Sequence, residues 1–238
     1  TPNCFDEETF DITVINSPDI DPLANQTACD SYTLPAITGT NLTGGEAYYT
    51  GTGGAGTQYN PGDNITTAGV NTLYIYDETG TTPNCFDEET FDVTINTTPD
   101  VDPLADQTVC DSYTLPAITG TDLTGGEAYY DAPNGGGTQY NPGDNITTAG
   151  VNTLYIYDET ATTPNCSDEE TFDVTVNVTP TFTLSSTNPS SCGGNDGSIT
   201  ISGLDPNTAY DISYGDGGTT VGPNNMTSDA AGDIVITG

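Results

Sequence analysis

Apolar and polar residues alternate with a period of two in several stretches of this 238-residue chain. In Val70–Glu78, Leu73 and Ile75 fall on one face and Tyr74 and Tyr76 on the other. In Thr9–Ile15, Phe10, Ile12 and Val14 share a face opposite Asp11 and Thr13, and the pattern returns at Phe91, Val93, Ile95 and at Phe172, Val174, Val176. Period two in β-branched and aromatic residues predicts half-buried strands. No stretch shows helical periodicity, and clusters such as Asn60–Asn64 (NPGDN) mark turns between the predicted strands. The chain therefore reads as all-β.

The strands recur because the sequence repeats. TPNCFDEETF begins at Thr1 and Thr82 and returns as TPNCSDEETF at Thr163, so the period is 81 residues. The first two copies differ at fifteen positions, five of them between Thr50 and Ala55. Several short strands in 81 residues suit an immunoglobulin-like sandwich, and the copies suit a linear array of them. The Pro/Asp-rich segments Pro18–Thr27 and Pro99–Thr108 have the composition of junctions. They divide the chain into residues 1–17, a closing strand that ends a preceding domain or is donated to another; repeats 18–98 and 99–179; and a distinct, incomplete β-domain, 180–238. An array supplies length, valency or a surface pattern, whereas an active site needs building only once.

Charge narrows the function further. The chain has no Lys, Arg or His against 35 Asp and Glu, a formal net charge of −35. Nothing neutralises a phosphate, which excludes nucleic acid and anionic membrane surfaces as direct partners. The common general bases and the Schiff-base nucleophile are missing, so no catalytic residue is expected. Mutual repulsion of carboxylates favours an extended array, with divalent cations or salt as counterweight.

Six cysteines without a CxxC pair or a His point to disulfides in an oxidising, extracellular setting rather than to a metal site. Cys29 with Cys85 and Cys110 with Cys166, each 56 residues apart, are the expected bonds within the repeats. Each would contribute about 4 kcal/mol in the chain-entropy model. Cys4 and Cys192 are left over. Either the chain is a window on a longer protein whose neighbours hold their partners, or protomers join head to tail. In the second case residues 1–17 complete the C-terminal domain of a neighbour and Cys4 meets its Cys192. Strand donation of this kind pairs an exposed sheet edge.

Carboxylates near the junctions, Asp19, Asp21, Asp100, Asp102, Glu88 and Glu169, are candidate Ca²⁺ ligands, in competition with plain solvated acidic edges. Asn-x-Thr sequons at Asn25, Asn41, Asn64, Asn96, Asn145, Asn177 and Asn225 are candidate attachment points for covalent glycans.

The strings CDSYTLPAITGT, EAYY, GDNITTAGVNTLYIY and TTPNCFDEETFDVT resemble the tandem immunoglobulin-like repeats of very large secreted surface proteins of Bacteroidota, of the gliding-motility-associated and adhesin type. Asn188–Gly218 is similar to a second repeat class of such proteins. The resemblance implies export by the type IX route, tandem β-sandwiches and a place at the cell surface. It also marks Ser31 and Ser112, in Asp-Ser-Tyr strings, as similar to Bacteroidota O-glycosylation acceptors. Two functions are expected: a filament or stalk subunit, or an adhesive module, Ca²⁺-dependent and glycan-directed, with Thr50–Ala55 as its tip.

Overall fold

The computed structural model describes residues 2–216 and 218–237, and every regular element among them is a strand. The first repeat contains β1 (Asp19–Ile20), β2 (Gln26–Cys29), β3 (Tyr32–Thr33), β4 (Gly39–Thr40), β5 (Ala47–Gly51), β6 (Ala55–Tyr59), β7 (Asn64–Ile65), β8 (Gly69–Glu78) and β9 (Phe86–Asn96). Five of them form a sheet in the order β2-β9-β8-β5-β6, and the short pairs β1-β4 and β3-β7 complete the sandwich. Its core follows from the alternation: Leu73 and Ile75 from β8 and Phe91, Val93 and Ile95 from β9 are buried with Ile20, Leu34, Tyr48 and Ile65. Tyr48 and Phe91 meet edge to face, ring centroids 5.9 Å apart.

Two polar groups are buried with this core. The Tyr48 hydroxyl donates to the Pro35 carbonyl at 3.0 Å. Asp77, 1% exposed, accepts from the Thr43 backbone N–H at 2.8 Å and from the Thr43 hydroxyl, which ties the loop before β5 to the end of β8. A buried carboxylate is tolerable only when donors surround it in this way.

The second repeat reproduces the first with β10 (Asp100–Val101), β11 (Gln107–Cys110), β12 (Tyr113–Thr114), β13 (Gly120–Thr121), β14 (Ala128–Ala132), β15 (Gly136–Tyr140), β16 (Asn145–Ile146), β17 (Gly150–Glu159) and β18 (Ser167–Asn177), in the sheet order β11-β18-β17-β14-β15. Leu154, Ile156, Phe172, Val174 and Val176 are buried as their counterparts are. The last segment has β19 (Thr183–Thr187), β20 (Ser198–Ser202), β21 (Ala209–Asp216), β22 (Thr219–Thr227) and β23 (Ile234–Thr237), arranged as a sheet β19-β20-β23 and a hairpin β21-β22. Among the described residues its buried cluster is Ile201, Leu204 and Ile234, thin beside the nine residues of the first repeat. No sheet takes strands from both sides of Thr98 or of Thr179.

The chain forms two compact units, one of residues 1–107, 114–145 and 152–173, the other of residues 108–113, 146–151 and 174–238.

Residues 2–18 depart from expectation, because they form no strand. Phe10, Ile12 and Val14 are 81%, 74% and 81% exposed, whereas Phe91, Val93 and Ile95, one period later, are at most 3% exposed. The same pattern is thus buried where β2 and β8 flank it and bare where nothing does.

Candidate functional site at the repeat junction

The repeats meet through a disulfide that the spacing did not suggest. Cys29 is bonded to Cys166, 137 residues away, with Cα atoms 5.7 Å apart. The expected bonds Cys29–Cys85 and Cys110–Cys166 do not form, and Cys4, Cys85, Cys110 and Cys192 are free thiols. Strand direction gives the reason. β2 runs parallel to β9, with Cys29 opposite Asn96 at the far end of that strand. Cys85 precedes the near end, and eleven extended residues at about 3.3 Å each put it roughly 36 Å from Cys29. Each repeat therefore carries one cysteine at its leading end and one at its trailing end. A cystine forms where the trailing end of one repeat meets the leading end of the next.

A second link, within the first repeat, lies beside the same boundary. Asp30 has φ of 59°, in the left-handed region that Asp tolerates better than most residues. Its N–H donates to the Asn96 carbonyl at 2.9 Å. Its carboxylate accepts from the Thr98 backbone N–H at 2.9 Å and the Thr98 hydroxyl at 2.7 Å. These two bonds, the hydroxyl one foremost, hold the Asp30 carboxyl below the usual carboxylate range. Asp111 repeats the arrangement at the other boundary: φ is 63°, Thr179 donates to it at 2.7 and 2.5 Å, and its carboxyl is lowered for the same reason. The identical copies of CDSYT carried this clasp in the sequence, but no local pattern revealed Thr98 as its partner.

Asn96 sits under the junction. Its carbonyl oxygen lies 4.0 Å from Cys166 Sγ, and its side-chain nitrogen is buried without a hydrogen-bond partner. A glycan on that nitrogen is incompatible with this packing, which removes Asn96 from the sequons. Asn25, Asn41, Asn64, Asn145, Asn177 and Asn225 are exposed, as are Ser31 and Ser112.

The acidic candidates do not converge. Among the described residues there is no group of three or more His, Cys, Asp or Glu able to hold a metal ion. Asp19 and Asp100 accept from the Thr40 and Thr121 hydroxyls at 3.3 and 3.4 Å, while Asp21 and Asp102 are exposed. Glu88 and Glu169 are drawn instead onto the backbone N–H groups of Gly53 and Asn134 at the β5–β6 and β14–β15 turns. The acid before each of these glutamates has a structural partner as well: Asp87 accepts from the Ile20 N–H at 2.7 Å and Asp168 from the Val101 N–H at 2.8 Å.

The variable residues 50–55 occupy the β5–β6 hairpin tip, which is pinned. Besides the Glu88 contact, Gly54 has φ of +70° and lies against Tyr76 so closely that an added Cβ would stand 3.0 Å from its ring. Thr50 accepts from the Thr57 N–H at 2.9 Å, and Asp131, its replacement in the second repeat, accepts from Thr138 at 2.6 Å. The divergence changes the surface of the tip and keeps its frame.

No protein-family model matches the chain, and no curated protein matches it. Among solved structures it is similar to mouse cadherin-23 repeats EC22–24 (12% identity, TM-score 0.31, 94% of this chain and 88% of that one). It is also similar to protocadherin gamma B2 extracellular cadherin domains 3–6 (10% identity, TM-score 0.31, 69% and 53%). A further match is DIP-gamma IG1+IG2 (14% identity, TM-score 0.25, 67% and 98%). The all-β tandem architecture itself rests on the strands and sheets described above.

Proposed function

We propose that this chain is a structural subunit of an extracellular cell-surface filament or stalk, without enzymatic activity, in which β-sandwiches follow one another head to tail. The observation that carries the reading is the Cys29–Cys166 bond, which spans two successive repeats instead of closing one. A bond so placed does little for a lone domain and much for a row of them. The Asp30–Thr98 clasp and its copy at Asp111–Thr179 fix the last residue of each repeat where the next begins. A cystine belongs to an oxidising compartment, which favours the cell exterior. Exposed Asn and Ser acceptors make a glycan coat a natural companion, and the resemblance to Bacteroidota surface repeats favours the type IX export route.

Electron microscopy of material purified without reductant tests this. Fibres one or a few domains wide are expected. A compact 24.6 kDa monomer at high concentration, with and without Ca²⁺, would overturn it.

An adhesive role is the second reading, supported by divergence confined to the surface of a rigid hairpin tip. A glycan array probed with residues 18–179, with and without chelator, separates the two. Binding that changes when residues 50–55 are exchanged between repeats would favour adhesion.

A further inference from the structure

The bond between Cys29 and Cys166 orders the other four cysteines. Cys4, Cys85 and Cys166 lie at the same place in the 81-residue period, each shortly before a closing segment. Cys29 and Cys110 share a second place, after the first long strand of a repeat. Cys192 falls 82 residues after Cys110 and likewise follows the first strand of its segment, β19. Cys29, Cys110 and Cys192 are thus trailing-end cysteines, and Cys4, Cys85 and Cys166 are leading-end ones. The observed rule joins a trailing-end cysteine to the leading-end cysteine of the following domain.

Two apolar surfaces stand open in the same chain. One is the segment 9–15, whose Phe10, Ile12 and Val14 are exposed although their repeat-one counterparts are buried. The other is a groove of about 480 Å³ in the last segment, bounded by Phe182 and Leu184 at β19, Ile199 on β20, Tyr210 and Tyr214 on β21, and Ile236 on β23. Phe182 and Leu184 are themselves 56% and 65% exposed. Among the described residues β19 pairs only with β20, which leaves one edge unpaired, and the groove runs between that strand and β21. In the first repeat the closing strand β9 lies between the initial strand β2, in parallel, and β8. A strand edge beside an apolar trough accepts a further strand.

We propose that residues 9–15 of one copy of this chain dock as a strand in the groove of a second copy, and that two cystines, Cys110–Cys4 and Cys192–Cys85, close across that joint. The first cysteine of each pair belongs to the copy supplying the groove and the second to the copy supplying the strand. The occupant is specified by the chain itself: Thr9–Val14 repeats the alternation of Thr90–Ile95, the segment that fills the equivalent place in repeat one. With the groove filled, Cys4 stands before the closing strand of the third domain as Cys166 stands before β18. The trailing-end thiol of the preceding domain is then Cys110. Cys85, in the first repeat of the strand-giving copy, faces Cys192 by the same rule. Every cysteine is used, and none is paired with Cys4–Cys192 logic, which would join a trailing end and a leading end of one domain. Each closure oxidises two thiols to one disulfide, with both protons and two electrons passing to a disulfide-bearing oxidant that leaves as its dithiol. This inference rests on the head-to-tail reading above and specifies its joint.

The test mixes equal amounts of ¹⁴N- and ¹⁵N-labelled full-length chain at high ionic strength, which screens the acidic surfaces, with oxidised glutathione as the disulfide donor. Cleavage after Glu then precedes mass spectrometry, since trypsin has no site in a chain without Lys or Arg. The expected result is mixed-isotope peptides for Cys110–Cys4 and Cys192–Cys85, unmixed peptides for Cys29–Cys166, and a ladder on nonreducing gels. Phe10→Asp/Ile12→Asp, at positions exposed in the single chain, should remain folded and lose the ladder. Cys4→Ser/Cys85→Ser should lose it while still forming noncovalent fibres. Cys4–Cys192 peptides, Cys110–Cys4 peptides with no mixed-isotope species among them, or fibres whose Cys4 and Cys110 stay reduced would overturn this joint while leaving the filament reading intact. A chain that stays monomeric would overturn both.

Discussion

The Thr98 hydroxyl and backbone N–H both donate to the carboxylate of Asp30, 68 residues earlier in the chain, at 2.7 and 2.9 Å. These bonds are stronger to the ionised acid, and they lower its folded-state pKa below the ordinary value of 3.8. The sign follows: the contribution is fully present above pH 3.8 and is lost as the pH falls through the lower, folded-state value. Hydrogen exchange at the Thr98 and Thr179 amides should accelerate below that pH. Asp30→Asn should accelerate Thr98 alone at neutral pH.

Alkaline pH acts on a different group. Burial, with help from the charge of Tyr32, pushes the Tyr48 phenol up to about 12 from 10.0. A raised folded-state pKa means that stability is intact below pH 10 and falls between 10 and 12. Absorbance near 295 nm should show this tyrosine ionising late, together with loss of the folded state, and Tyr48→Phe should weaken the dependence.

Reducing Cys29–Cys166 opens a covalent loop of 137 residues. The chain-entropy model assigns such a closure about 5 kcal/mol. Cys29→Ser should shift the denaturation midpoint accordingly, while Cys85→Ser and Cys110→Ser should leave a dilute, monomeric chain unchanged.

Phe91 and Phe10 occupy the same place in the period and opposite surroundings, 2% and 81% exposed. Phe91→Ala should cost about 3–5 kcal/mol by opening a cavity. Phe10→Ala should stay within about 0.5 kcal/mol in the isolated chain. Urea denaturation of the two variants compares them directly.

Asp77→Ala should cost about 1–3 kcal/mol, because it leaves the Thr43 donors without their buried acceptor. Asp158→Ala should do the same through Thr124. Thermal melts of the single variants provide the check.

What the sequence disclosed was whatever repeats locally. Alternation at Leu73, Ile75, Phe91, Val93 and Ile95 identified strands and their inward faces, and the observed core contains those residues. Cysteine pairing lay outside its reach because spacing carries no strand direction. An antiparallel β2 would have brought Cys29 toward Cys85, and the parallel register carries it to Asn96 instead. The Asp30–Thr98 clasp and the Glu88–Gly53 contact were hidden for a related reason, since both join residues that only the sheet order brings together. Asn96 reads as an ordinary sequon until its side-chain nitrogen is found buried.

The cystine between Cys29 and Cys166 also governs how the chain carries tension. Pulled from its two ends, the oxidised molecule passes force directly from residue 29 to residue 166, and the backbone between them, a separation of 137 residues, is shielded from extension. At about 3.3–3.6 Å per residue, that is roughly 450–490 Å of slack locked away. Reduction releases it. A tether built from such units is short and stiff in an oxidising medium and becomes extensible when its thiols are restored.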